Sequence, residues 1–370
     1  MENFKYADEQ ISPFEILIAV PSIVIAVGIL ILPRSLASVT VSSDGWVALL
    51  IGGILAILIT WATAKVAAAF PSQHFITYAT TLLKRPLAVV FTLLFAVQGI
   101  ILTAYEIKQV SYTSQQYLFD RTPMEIISLT FLLLVVYAVA GTRAGVFRLN
   151  VMFLPIIIFV TIILILFSLV FIRSGNILPV FQTDLKGYFW GLRESTMAYT
   201  GYGILFFYIA FVRNSKQAPK MAAAGMTIAV VLYILIFLTC IAVFGNVTTA
   251  NLMSPTVELA KTIEIPGGIL ERFESIFFMI WIMAIFNTAV IALDIAVLAI
   301  TSIFPSINKF KLLLFLCPAT YFISELPNNI TELEVMGEIM GTYSVALSLS
   351  VLVLLLIMMK VRGVKNSGSQ

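Results

Sequence analysis

Histidine, cysteine and charge are all scarce in this chain of 370 residues, and each scarcity removes a class of function. The one histidine, His74, follows Phe70 and Pro71 in a polar connector and reads as a loop residue, so no His-based catalytic constellation can be assembled. Cys240 and Cys317 lie in separate apolar runs without CxxC spacing, which reads as two packed thiols rather than a disulfide, redox or metal site. No GxxxxGK followed by Ser or Thr is present, which argues against ATP-driven transport by this chain. Lacking a nucleophile, base and metal set, the chain is not expected to be an enzyme, and no cofactor is implied. Charged residues make up 11% and the net charge is +3, with Lys and Arg scattered, so no nucleic-acid partner is expected.

What is abundant is apolar surface. Sixty percent of the residues are hydrophobic and mean hydropathy is +1.04, whereas a soluble domain is about one quarter charged. The implied class is an all-α polytopic membrane protein, a single transmembrane domain over 1–370 in contact with lipid. Apolar runs bounded by charge, Pro, Gly or Asn give about ten transmembrane helices, since each crossing needs about 20 apolar residues. They fall at 14–37, 46–69, 87–115, 124–140, 147–172, 188–212, 218–244, 272–304, 311–325 and 334–360. The ninth is the shortest and must borrow its flanks or pack obliquely, nine spans being the alternative. Residues 1–13 carry more acid than base, so the first run is expected to stay as an anchor.

Orientation follows from basic residues, which are retained on the cytoplasmic side. With both termini cytoplasmic, that side holds Lys5, Lys84, Arg85, Arg143, Arg148, Arg213, Lys216, Lys220, Lys309, Lys311, Lys360, Arg362 and Lys365. The other side holds only Arg121, Arg173, Lys186, Lys261 and Arg272. Its longest connector, 245–271, has room for a short surface helix at 255–265, and the tail 360–370 reads as a solvated end.

Two helices are interrupted. In the first span Gly28 stands near mid-depth, and Pro33 frees the carbonyl of Ile29 from its helical partner. In the sixth, Tyr199-Thr200-Gly201-Tyr202-Gly203 puts two glycines and a hydroxyl inside an apolar helix. The breaks lie five spans apart, as in a 5+5 inverted repeat with broken helices 1 and 6, with repeat one at about 14–172 and repeat two at about 188–360. Such breaks bare backbone groups for a ligand at the midplane; glycines that merely allow close packing are the plainer reading.

Charges inside spans narrow the site, because each must face protein or water. Glu106 and Lys108 sit in span 3 on different faces, Arg193 and Glu194 near the outer end of span 6, and Asp294 in the inner half of span 8. Gln98, Tyr105 and Tyr112 recur every seven residues in span 3, as do Asn287 and Asp294 in span 8, with Thr288 adjacent. The candidate ligand-binding set is Val27, Gly28, Ile29, Tyr105, Thr200, Gly201, Tyr202, Gly203, Asn287 and Thr288, with Glu106 and Asp294 as candidates for an ion or water pathway. For Glu106 a paired, structural carboxylate is the alternative.

The stretch Gly28-Ile29-Leu30-Ile31-Leu32-Pro33 resembles the first-helix motif of the amino acid, polyamine and organocation transporter superfamily, with Ala26 where many members have another glycine. More specifically, Leu32-Pro33-Arg34, Asp44-Gly45-Trp46, Arg121-Thr122-Pro123 and Glu271-Arg272-Phe273-Glu274-Ser275 with Trp281 resemble the B subunits of spore germinant receptors, in order and over nearly the whole chain. That resemblance implies a leucine-transporter-like fold in the inner membrane of a bacterial spore. It implies a receptor working with a larger A subunit and a C lipoprotein and sensing a small nutrient, an amino acid or a sugar, to trigger germination. Family ligand positions correspond to Gly28, to Thr200 through Gly203, and to Thr288, and Glu106 stands where the family tends to carry a span-3 acid. The competing function is an amino acid permease coupled to H⁺ or Na⁺. Span 5 offers no lysine as a substitute cation, whereas Asp294 with Thr301 and Ser302 offers oxygen ligands.

Overall fold

The computed structural model describes residues 9–263 and 273–363 of the chain. Glu271 and Arg272 of the fourth motif, the end of the expected 255–265 helix, Lys5, Lys365, and residues 1–8 and 364–370 lie outside the described residues, as does the side chain of Val27.

The elements are helices throughout: α1 (Pro13–Val39), α2 (Gly45–Ala68), α3 (Phe75–Leu83), α4 (Arg85–Tyr117), α5 (Met124–Ala140), α6 (Arg143–Ser168) and α7 (Leu185–Ala198). They continue with α8 (Leu205–Tyr208), α9 (Ala218–Phe244), α10 (Asn246–Asn251), α11 (Pro255–Lys261), α12 (Phe273–Ile303), α13 (Lys309–Ser324) and α14 (Ile330–Val361). Helix starts follow local chemistry. Ser12 and Glu15 form a reciprocal capping box at α1, and Thr142, Asp184, Asn308 and Asn329 accept from the first free N–H groups of α6, α7, α13 and α14.

By length and apolarity α2, α4, α6, α9, α12 and α14 can each cross a membrane, and α1 joins them when its halves, Pro13–Ala26 and Gly28–Val39, are taken as one span bent by 54°. The other three crossings are irregular. With 17 and 16 residues, α5 and α13 reach about 24–26 Å at ~1.5 Å per residue, a little short of a hydrocarbon core ~30 Å thick. The sixth span is α7 followed, after a break, by 3₁₀ turns on either side of α8. The ten segments match the ten apolar runs, and the short ninth borrows Lys309 and Phe310 from its flank. The chain is an integral membrane protein. Apolar side chains point outward over the middle of the bundle, among them Leu58, Leu133, Phe159, Leu314 and Phe315, as a lipid solvent requires.

At the centre α12 packs on α4, α6 and α1. Small residues permit this: a Cβ at Gly99 of α4 would run into the carbonyl of Ala292 and lie 3.1 Å from the methyl of Ala296. The Asp44-Gly45-Trp46 motif is a clamp between connectors. The carboxylate of Asp44 accepts from the backbone N–H groups of Phe181 (2.6 Å), Gln182 (2.6 Å) and Thr183 (2.8 Å), while Trp46 meets the Phe181 ring edge-on. Burial raises its pKa, but these hydrogen bonds together outweigh it and hold the carboxyl below its ordinary 3.8. A depressed carboxylate stabilises the fold above its unfolded pKa, and that contribution fades as pH falls through the folded value. Asp44→Ala is therefore expected to lower stability at pH 7 by roughly 3 kcal/mol, since three donors lose a charged acceptor. Thermal unfolding in detergent at pH 7 checks this; an unchanged Tm would show the clamp to be dispensable.

Candidate functional site

The first interruption is a bend of 54° between Ala26 and Gly28, and carbonyls on either side of it accept from side chains. Thr288 Oγ1 donates to Ser22 O at 3.0 Å, Trp281 Nε1 to Ala26 O at 3.1 Å, and Tyr233 OH to Val24 O. The carbonyl of Ile29, which Pro33 strips of its helical donor, accepts from Thr256 Oγ1 at 2.6 Å. Gly28 is required by the same packing: a Cβ there would lie 2.7 Å from Cζ of Tyr233 and closer still to its hydroxyl.

The second break begins where α7 ends at Ala198. Tyr199 is anchored through its hydroxyl to Leu49 O (3.2 Å), and Thr200 Oγ1 turns back to Met197 O (2.9 Å). Gly201 has φ +137°, a conformation side-chain-bearing residues avoid, and a Cβ on it would lie 2.8 Å from Cγ2 of Ile23 on α1. The two interruptions therefore touch. At Gly203 a Cβ would meet Ser348 Oγ at 2.7 Å and the Phe95 ring at 3.1 Å.

Beside them lies a cavity of about 520 Å³, lined by Ile23, Val24 and Gly28 of α1, Phe95, Gln98, Tyr105 and Glu106 of α4, Thr200, Gly201 and Gly203 of the second break, and Ser344 of α14. It extends along the second half of α1, α7 and the first half of α14, towards the end of the bundle away from the termini. Ion pairs cross that approach: Arg34 of α1 with Glu334 of α14 at 2.6 Å, and Arg193 of α7 with Glu338 of α14. Arg193 also lies 3.6 Å from Glu194 and over the Trp190 ring.

Deeper in, the polar groups are not all paired. Gln98 Nε2 donates to Ser344 Oγ (2.8 Å), but Gln98 Oε1 and Glu106 Oε2 are buried without a hydrogen-bond partner. Lys108, two residues on, faces away and pairs with Glu325 at 2.7 Å. Of the lining acids Glu194, Glu334 and Glu338 lie beside Arg193 or Arg34, which leaves Glu106 without an ion-pair partner among the described residues.

The structure thus brings Gly28, Tyr105, Glu106, Thr200, Gly201 and Gly203 to one cavity. Ile29 and Thr288 are buried behind the break, and Asn287 and Tyr202 are buried with Asn287 Nδ2 and the Tyr202 hydroxyl unpartnered. Asp294 belongs to a cluster at the terminal end of the bundle: Tyr208 OH donates to it at 3.0 Å, Arg143 Nε lies at 3.3 Å, and Arg143 reaches Glu9 at 2.9 Å. There Ile11 N–H donates to Phe211 O (2.9 Å) and Arg213 N–H to Ile11 O (3.0 Å), pinning the N-terminal segment to the end of the sixth span. His74 caps α3 with its ring against Phe211; burial, then Arg143, lower its pKa against the opposing pull of Glu9. Thr301 and Ser302 donate to carbonyls of their own helix. Sequence reasoning missed Arg34, Glu334 and Glu338 as lining residues, because nothing local to each predicts a partner some 300 positions away in the chain.

A helical bundle with two broken spans meeting beside a cavity defines the leucine-transporter-like class. The solved structure of MhsT in complex with L-phenylalanine superposes with a TM-score of 0.69 over 95% of this chain and 98% of that one, at 12% identity. The chain belongs to the spore germination protein family of spore permeases, whose profile matches residues 10–333. It is 37% identical to spore germination protein GerLB of Bacillus cereus, over 100% of this chain and 99% of that one. Spore germination protein YndE of Bacillus subtilis (strain 168) is 28% identical over 91% of this chain and 93% of its own length. These relatives are named for germination, not for an enzymatic activity, and the chain has a germinant-receptor or permease-like role.

Proposed function

We propose that this protein is the nutrient-binding subunit of a germinant receptor, taking a small nutrient, an amino acid or a sugar, into the cavity between its two broken helices and so triggering germination. The observation that carries the reading is the convergence of Gly28, Gly201 and the unpartnered acceptors of Gln98 and Glu106 on one cavity. Acceptors left open in the lining favour a ligand that brings donors, such as an ammonium or several hydroxyls. We place the protein in the spore inner membrane with both termini cytoplasmic, alongside an A subunit and a C lipoprotein. Relatives named spore germination protein B2 and A2, at 24% and 23% identity, support membership of a receptor assembly.

The test is germination of spores lacking the gene, against a panel of single amino acids, nucleosides and sugars. Loss of the response to one nutrient, restored by the wild-type gene, is expected. An unchanged response to every nutrient would sink the reading.

A further inference from the structure

In secondary transporters the carbonyls bared by an unwound helix coordinate the coupling cation. Here carbonyls flanking the bend of α1 are engaged by side-chain donors of the protein. Ser22, Val24, Ala26 and Ile29 accept from Thr288, Tyr233, Trp281 and Thr256, side chains supplied by α9, α11 and α12. A donated hydrogen takes up one of a carbonyl's two lone pairs, and its partial positive charge opposes a metal ion at that oxygen. Tyr233 also takes the space: its hydroxyl is packed against Gly28, where the bend is sharpest, and its ring lies on Tyr199 with centroids 5.6 Å apart. Near the span-8 acid, Thr301 and Ser302 donate within α12, and the Oδ2 atom of Asp294 is held by Tyr208 and Arg143.

We infer that the first-helix break binds no coupling metal cation, because the hydroxyls of Tyr233, Thr288 and Thr256 and the indole of Trp281 stand in the cation's place, with Tyr233 as the principal positioning residue. The break is thereby held in its bent form by the protein alone. Ligand recognition at the adjoining cavity then proceeds without Na⁺. The inference rests on reading that break as part of the ligand site, but its test needs no nutrient.

The test is thermal unfolding of the full-length protein in lipid nanodiscs, without nutrient, titrating NaCl against N-methyl-D-glucamine chloride at constant ionic strength. An ion that binds the folded state raises Tm with its concentration. For the wild type, the same Tm in both salts is expected. A saturable rise in Tm with Na⁺ would overturn the inference. Tyr233→Phe removes the side-chain donor at the carbonyl of Val24, and Thr288→Val that at Ser22; Tyr233→Phe is expected to lower Tm and to acquire a Na⁺-dependent rise. A lower Tm with no gain of Na⁺ dependence in either variant would reduce these groups to packing and overturn their role as the ion's substitute. Should a variant fail to fold, the wild-type titration decides. A nutrient panel that produced no response at all would remove the proposed receptor function and leave this result standing.

Discussion

Gly201→Ala is expected to abolish or severely weaken the nutrient response, whereas Gly203→Ala, two residues away, is expected to be mild and repairable. At Gly201 the backbone is held at φ +137° and the added methyl would face Cγ2 of Ile23 at 2.8 Å, on the other broken helix. Backbone strain of this kind costs about 1–3 kcal/mol before any clash is counted, and Ile23, buried at 7% exposure, has little room to yield. Relief must therefore come from moving the two breaks apart, which changes the cavity they form. At Gly203 the nearest obstacle is the hydroxyl of Ser348, 2.7 Å from where the added methyl would stand, which can rotate or be removed, and the Phe95 ring at 3.1 Å needs to give only slightly. Ser348→Ala combined with Gly203→Ala should restore a near-wild-type response. The nutrient concentration for half-maximal germination, measured with protein abundance in spore membranes, checks both. Equal effects at the two glycines would mean that helix geometry at Gly201 is not what shapes the site.

The contrast between these glycines also marks how far the sequence can be read. Ten apolar runs could be drawn because a lipid-facing helix needs an unbroken hydrophobic length, and that is a local property. The ends at 124–140 and 218–244 coincide with α5 and α9. The breaks were legible because Pro33 and the Gly201–Gly203 pair act on their own backbone. The freed carbonyl of Ile29 was predictable in the same way, but its partner Thr256 was not, being 227 positions away. Helix α3 escaped notice because its nine residues are too short for a span, although Phe75, Tyr78, Ala79 and Leu82 give it one buried face. Thr288 was legible as a buried hydroxyl of span 8, but its direction was not. It points to Ser22 behind the break rather than into the cavity.

Glu106→Gln is expected to leave the protein in the membrane at normal abundance and to raise the nutrient concentration needed for half-maximal response about tenfold or more. The carboxylate is 3% exposed, it lines the cavity, and its Oε2 has no hydrogen-bond partner. A partner removed by mutation leaves an uncompensated charge behind, but here there is no partner to strand, so the amide should be tolerated by the fold. What the amide loses is one acceptor oxygen and proton exchange. A hydrogen bond to a charged group contributes about 1.5–3 kcal/mol, and about 1.4 kcal/mol is one factor of ten in affinity, which sets the expected size. Lys108 supplies the opposite case on the same helix, since its ammonium is paired with Glu325 at 2.7 Å and both groups are largely withdrawn from solvent. Lys108→Met strands the Glu325 carboxylate, and abundance should fall together with the response. Quantifying the protein in spore membranes beside the germination rate separates the two behaviours. A Gln variant with full abundance and full response would remove Glu106 from both the ligand site and any water or ion path, while a Gln variant that is lost from the membrane would make it a structural group.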